Sequence, residues 1–489
     1  MSAAASISPV HQPGPVVTAD PRRWISLVFI AIAQLMVALD ATIMSIALPS
    51  AQASLHFTDA ERQWVITAYT LAFGGLLLLG GRVADRLGRK RAFLIGLAGF
   101  ATASVLGGVA LNLGMLIAAR ALQGAFAALL TPTALSLLAV TFTEPRERAT
   151  AFAVYGGIAG SGAAAGLLLG GALTEYLNWR WCLYVNVPIA IVAAIGAFTV
   201  LTDTAPSRNH RFDIPGVVLA TAGLVALVYG CTQAVTAGWG SGTVVGSLVA
   251  SVALLALFVV REARTANPLL PLRIVLDRNR GGAYLAVMLA IAGMFGAFLF
   301  LTYYLQVVLR YTPLQAGLAF LPMTVASQVG SWAIARTLMP RVPARALMAP
   351  GLLVAAAGMA VLTQLRVDGG YLLHILPGEV LLGLGIACVM VPAFSIGTLG
   401  VDPRQAGVAA ATVNTASQIG ASLGTALLNT IAAGATVAYL ASHGRGLVAQ
   451  ALVHGYSSAT VWGTAILVLG AVLSAVLINA GRTASHQSK

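Results

Sequence analysis

The chain has 489 residues, 58% of them hydrophobic and only 9% charged. A soluble domain carries about 25% charged residues, which excludes a soluble enzyme or binding module of this length and leaves a chain that lives in lipid. Its formal charge of +13 therefore needs an explanation on those terms before a nucleic-acid partner is invoked.

Residues 1–23 are polar and hold Pro9, Pro13, Pro15 and Pro21. They read as a disordered tail rather than a cleavable signal, because the apolar run behind them is too long and lacks a small-residue cleavage site. Apolar runs of about 18 or more residues, the length that crosses a bilayer as a helix, then recur to the end of the chain. Fourteen spans are predicted, at about 24–48, 63–81, 92–111, 115–140, 150–173, 183–201, 214–235, 243–261, 283–308, 315–337, 346–365, 372–397, 407–434 and 458–480, numbered here in that order. The expected fold class is an all-α polytopic membrane protein.

With the N-terminus inside, the predicted outer loops hold only Arg62, Arg180, Arg310, Arg366 and Arg445, while Arg120 lies in span 4 and the rest of the 28 Lys and Arg face inward. Such a bias sets orientation. The basicity is thus topological, both termini are expected in the cytoplasm, and no nucleic-acid partner is implied. Cys182, Cys231 and Cys388 are scattered in or at the ends of spans and read as small buried apolar residues, with no metal spacing. No G-x4-GK[ST] loop is present to hold a nucleotide. The seven histidines are dispersed, mostly outside spans, which argues against a membrane-embedded enzyme. No cofactor or metal is expected.

In span 1, "LMVALDATIMSIALPS" buries Asp40 in hydrocarbon. A charge near the bilayer centre costs at least about 2.5–3.5 kcal/mol on insertion scales, so such a residue is a functional candidate by default. Arg120 in span 4 and Glu379 in span 12 are the other clear cases. At 1.5 Å per residue, Asp40 lies about 12 Å from its outer span end and Arg120 and Glu379 about 9 Å, one layer in the outer half. Asp40 reads as a proton carrier, since desolvation and a nearby cation pull a carboxylate's proton affinity in opposite directions, or as one half of a structural pair with Arg120. Arg120 shares a helix face with Gln123, Ala127 and Thr131, and serves either to counter Asp40 or as a hydrogen-bond hub. Glu379 is either a second acidic site or an outer-rim residue.

The loop between spans 2 and 3, "GGRVADRLGRKR", sets Asp85 among five cations, with Gly81 and Gly88 permitting a tight turn. In span 5, "GGIAGSGAAAGLLLGG" carries Gly162, Gly166 and Gly170 at four-residue steps, followed by Gly171, a pattern that lets two helices touch backbone to backbone. Span 9 sets Phe295, Tyr303 and Gln306, and span 13 Asn414 and Gln418, on polar-aromatic helix faces. With Gln123 these either line a substrate cavity or pack helix on helix.

The spacing G-x3-D-R-x-G-R-K of the 80–91 loop closely resembles the signature loop of the major facilitator superfamily. "LDATIMSIALP", "RALQG", the glycine-rich span 5 and "NWRWCLYVNVPI" follow in that family's order. With fourteen spans, the chain looks like the superfamily's drug:proton antiporter branch. The resemblance implies two six-helix bundles, at 24–201 and 281–480, separated by two extra helices in 202–280 and flanked by tails 1–23 and 481–489. The loop "RTLMPRVPARAL" falls where the internal repeat demands a second signature loop, without its acid or glycines. The resemblance further implies that Gly81, Asp85, Arg86, Gly88 and Arg89 latch one conformation, and that Asp40, Arg120 and Glu379 serve proton coupling. One departure is plain: the family's glycine motif has a proline where this chain has Leu167. The expected function is proton-driven export of a lipophilic small molecule, neutral or monocationic, by a monomer in a bacterial inner (plasma) membrane, with the proton as coupling ion. A dedicated exporter of one endogenous metabolite or lipid, and a non-transporting sensor, are the alternatives.

Overall fold

A computed structural model describes residues 22–59, 61–142, 144–201, 213–265, 268, 272–339, 341–398, 406–444 and 446–479. Most of the expected tails 1–23 and 481–489 lies outside the described residues, as does much of the linker before span 7. Thirteen helices among the described residues are long and apolar enough to cross a bilayer. The 25-residue helix Gln63–Leu87 supplies the crossing between the first two of them. Together they follow the order of the fourteen predicted spans.

The helices overrun the apolar stretches that reveal them. Span 1 is Arg23–Leu55 and span 13 is Ala406–His443, 38 residues, or about 57 Å at 1.5 Å per residue. The hydrocarbon layer is only about 30 Å thick, so hydropathy reports the lipid and not the helix. Three spans are broken near prolines, among them span 12, which runs as Tyr371–His374 and Leu376–Thr398 with Pro377 opening its second piece. Span 6 runs as Trp181–Tyr184 and Asn186–Val200, with Pro188 in its second piece. Span 10 runs as Pro313–Ala319 and Leu321–Ala333, stepping at Phe320 because Pro322 has no N–H to give the ladder. Thr312 and Gln315 close a reciprocal capping box that fixes where span 10 begins.

The packing repeats. In the first half, span 2 lies on span 4, span 1 on span 5, span 3 on span 4, and span 6 on spans 1 and 3. The second half reproduces each pairing eight spans later: 10 on 12, 9 on 13, 11 on 12, and 14 on 9 and 11. Spans 7 and 8 pair with each other, and span 7 leans on spans 2 and 13. Asp213 ties them at one end, capping span 7 through Gly216 N at 3.1 Å and accepting from Arg261 Nε at 2.6 Å.

We call the end that carries the 2–3 loop and the chain termini the terminal side, and the opposite end the distal side. Leu39, Ile43, Ile46 and Leu48 of span 1 belong to an apolar cluster that runs into spans 9 to 14. Leu27, Ile30, Met36 and Val37 belong to a separate cluster centred on the first bundle. One helix thus joins the second bundle along its distal half and packs within its own bundle below. Asp40 sits where the two clusters meet.

Candidate functional site

Asp40 is fully buried. Arg120 Nη1 donates to its Oδ2 at 2.6 Å, while Gln123 Nε2 and Asn186 Nδ2 donate to its Oδ1 at 3.0 and 2.8 Å. Spans 1, 4 and 6 each contribute, and the broken start of span 6 sets Asn186 at the first position of its second helix. Arg120 is itself buried and spreads its fork: Nη1 also donates to Gln123 Oε1 at 2.9 Å and Nε to Val65 O at 3.2 Å, and its guanidinium lies 4.4 Å from the centre of the Tyr69 ring. Gln123 Nε2 reaches Ser104 Oγ at 2.8 Å on span 3. A carboxylate in this setting is met by three donors, and charge-assisted bonds of this length are the strong kind.

The glycine stripe of span 5 forms the wall beside Asp40. A methyl group at Gly166 would fall 2.6 Å from Leu39 O and collide with the Thr42 hydroxyl; one at Gly162 would meet Ala38 Cβ at 2.9 Å, and one at Gly170 Ile43 O at 2.9 Å. The stripe therefore lies against the backbone of span 1 on both sides of Asp40, clamped by Thr42 Oγ1 donating to Ala163 O at 3.0 Å. A neighbouring face of the same helix meets span 10. Leu167 is fully buried, and its carbonyl lies 2.5 Å from where a Gly317 methyl would stand, while Gly171 packs on Pro313 O. Leu167, where the family's motif has proline, thus occupies the contact between bundles.

That contact is one part of a distal seam. Glu175 Oε2 accepts from Leu314 N at 3.1 Å. Between spans 1 and 9, Tyr303 OH donates to Gln52 Oε1, and Gln306 Nε2 to Ile46 O at 2.9 Å. Between spans 2 and 13, buried Arg62 donates from Nε to Asn429 Oδ1 at 3.0 Å, and Asn429 Nδ2 returns a bond to Asp59 O at 3.0 Å. Arg62 also lies 3.9 Å from the centre of the Tyr303 ring, and a methyl at Gly74 would stand 2.8 Å from Gln418 Cβ.

The residues singled out by sequence are thus distributed among several places. Asp40, Arg120 and Gln123 form one network. Tyr303, Gln306 and Gln418 lie at the seam between the bundles, while Phe295 packs half-buried against the apolar cluster that runs through spans 9 to 14, and Asn414 is half-buried on span 13. Glu379 is fully buried in the second bundle, apart from Asp40. In the 80–91 loop, Gly88 adopts φ +88, a left-handed turn that glycine takes without strain. Gly81 faces Pro132 at ordinary contact, Arg86 is exposed and Arg89 half-buried; the side chain of Asp85 lies outside the described residues. Asn186, Ser104 and Tyr69 complete the site without having been singled out, as do Arg62, Gln52 and Asn429 at the seam. Asn429 continues the polar face of span 13, four residues beyond Thr425, and that spacing was the available signal.

Two bundles that repeat each other's packing and meet along a seam have the architecture of a secondary transporter. The chain belongs to the Major Facilitator Superfamily, whose model matches residues 30–425. Puromycin resistance protein pur8 of Streptomyces alboniger is 53% identical over 473 residues, covering 96% of this chain and 94% of its own length. Cephamycin export protein CmcT of Amycolatopsis lactamdurans is 42% identical, covering 86% of this chain and 87% of its own length. The multidrug efflux pump LfrA of Mycolicibacterium smegmatis is 32% identical, with 85% and 82% covered. Among solved structures, a bacterial homolog to the human lysosomal transporter Spinster, in an inward-facing and unoccupied conformation, superposes with a TM-score of 0.67 at 17% identity, covering 94% of this chain and 97% of that one. The chain is a multi-span membrane transporter of the family's drug-efflux branch, and not an enzyme.

Proposed function

We propose that the chain exports a lipophilic, drug-sized small molecule across a bacterial plasma membrane in exchange for protons. The observation that carries this reading is Asp40, buried at lipid depth, at the level where the sealed distal half of span 1 gives way to the terminal half. A carboxylate there is costly and calls for a function. Its setting suits both protonation states. Arg120 stays charged throughout, and when Asp40 takes a proton, Gln123 Oε1, Val65 O and the Tyr69 ring still hold the guanidinium. Protonation thus removes the charge attraction between spans 1 and 4 and leaves the guanidinium on its neutral partners.

The glycine stripe transmits that change. It packs on the two sides of Asp40 and, through Leu167 and Gly171, on the start of span 10, so movement of span 1 at Asp40 is felt at the seam. The Lys and Arg distribution supports a cytoplasmic terminal side, and on that orientation a sealed distal end presents the site to cytoplasmic substrate. Protons entering down a potential of about 100 mV supply about 2.3 kcal/mol each, enough for a roughly 50-fold gradient of a neutral substrate at about 1.4 kcal/mol per tenfold. The scarcity of intramembrane acids favours neutral or monocationic cargo. Half-buried Phe295 and Asn414 are the residues proposed to meet it, and the transporter is proposed to act as a monomer.

A second reading, a dedicated exporter of one antibiotic, is favoured by relatives named for single compounds, puromycin and cephamycin. The test is uptake of a lipophilic dye and of single antibiotics into inverted vesicles under an imposed proton gradient. Gradient-driven uptake that is lost in Asp40→Asn, at equal membrane insertion, supports antiport. Uptake indifferent to the gradient would sink it.

A further inference from the structure

Glu379 stands in the first turn of the main helix of span 12, Leu376–Thr398, with no exposed surface. Span 11 closes over it: Gly378 and Gly358 approach so nearly that a methyl on either would crowd the other's carbonyl. No cation pairs with Glu379 among the described residues, in contrast to Asp40, which has Arg120 at 2.6 Å. Its Oε1 is buried without a hydrogen-bond partner. Its Oε2 lies 3.0 Å from the hydroxyl of Tyr371, and that same hydroxyl lies 2.6 Å from Ala319 O of span 10.

A phenol has a single proton to donate. Two oxygens 2.6 Å apart repel unless a proton lies between them, and a carbonyl has none to give, so the Tyr371 proton is committed to Ala319. The remaining contact, between the phenol oxygen and Glu379 Oε2, is then a hydrogen bond only if the carboxyl supplies the proton. An ionised Glu379 would instead set its charge against a phenol lone pair, in a buried site with no cation and with Oε1 unsatisfied.

We infer that Glu379 binds a proton in this distally sealed state, as a neutral acid donating to Tyr371, and is a second proton site in the second bundle. The titratable neighbour it faces is Tyr371; spans 10 and 11 present to this corner the Ala319 carbonyl, Gly358 and Leu362. Ala319 stands two residues beyond Gly317, which rests on the Leu167 carbonyl, so the acceptor that holds the Tyr371 proton is carried by the seam itself. Parting of the bundles would shift that acceptor and free the phenol to donate to the carboxylate. The coupling role rests on the antiport reading above; the proton on Glu379 does not.

The test is infrared spectroscopy of the purified transporter in lipid nanodiscs at neutral pH, comparing wild type with Glu379→Gln, Asp40→Asn and Tyr371→Phe. The expected result is a protonated-carboxyl C=O band that Glu379→Gln removes, Asp40→Asn keeps, and Tyr371→Phe shifts in frequency because its acceptor is gone. Loss of only ionised-carboxylate bands in Glu379→Gln would overturn the inference. Should that variant fail to fold, Tyr371→Phe decides: a carboxyl band that does not move overturns it equally. None of these readings depends on transport, so a transporter that shows the band yet moves no protons fails the antiport reading alone.

Discussion

Arg62 and Asn429 stand on opposite bundles, and the 3.0 Å bond from the arginine Nε to the asparagine Oδ1 crosses the seam between them. Asn429 returns a bond to the backbone of Asp59, so a pair of side chains stitches the start of span 2 to span 13. A hydrogen bond to a charged group contributes about 1.5–3 kcal/mol. Asn429→Ala should therefore raise the distal-open population about 10- to 100-fold, at about 1.4 kcal/mol per tenfold. Spin labels on the distal ends of spans 5 and 10 will read this as a new long-distance population. An unchanged distance distribution would show that the pair does not hold the seam.

Arg120 and Asp40 are buried together, and removing one partner of such a pair costs about 3–5 kcal/mol because the other is left uncompensated. Arg120→Gln should destabilise by that order in chemical unfolding from detergent micelles. Combining it with Asp40→Asn should recover most of the loss, since both charges are then gone. Arg120→Lys should not match wild type, because an ammonium lacks the planar fork that serves Asp40, Gln123 and Val65 O at once. Strict additivity of the two single losses would argue against the pairing.

Gly166 and Gly157 sit on the same helix and separate cleanly by what surrounds them. A methyl at 166 would stand 2.6 Å from Leu39 O, whereas at 157 nothing lies within 4 Å. Gly166→Ala should cost about 1–3 kcal/mol, the usual range for overpacking, and slow export by displacing span 1 at Asp40. Gly157→Ala should be neutral or gain up to about 1 kcal/mol, because alanine is the better helix former. Equal thermal stability and export rate in the two variants would remove the glycine stripe from the account.

How much of this was legible beforehand varies by residue. The Asp40 and Arg120 depths, counted from span ends, placed them in one layer because charge in hydrocarbon is rare enough to stand out. The fourteen spans were legible for the same reason, though helix ends were not, since Leu55 and His443 lie beyond the apolar stretch that hydropathy detects. Arg62 was hidden by the opposite effect: a loop arginine reads as a topology signal, and only the fold shows it buried beneath Tyr303. Asn186 opened an apolar run as a single polar residue, and nothing local distinguishes a ligand of Asp40 from a helix start. Tyr303 and Gln306 stood out as a polar-aromatic face, but periodicity states which residues share a face and not what that face meets.

Proton exchange is tested most directly with purified protein in proteoliposomes holding a pH-sensitive dye, with an outward substrate gradient as the only driving force. Substrate efflux should acidify the lumen in strict proportion to substrate moved, because each exchange carries protons inward, and Asp40→Asn of equal fold should abolish the pH change. Substrate moving at the wild-type rate with no change in lumenal pH would contradict it.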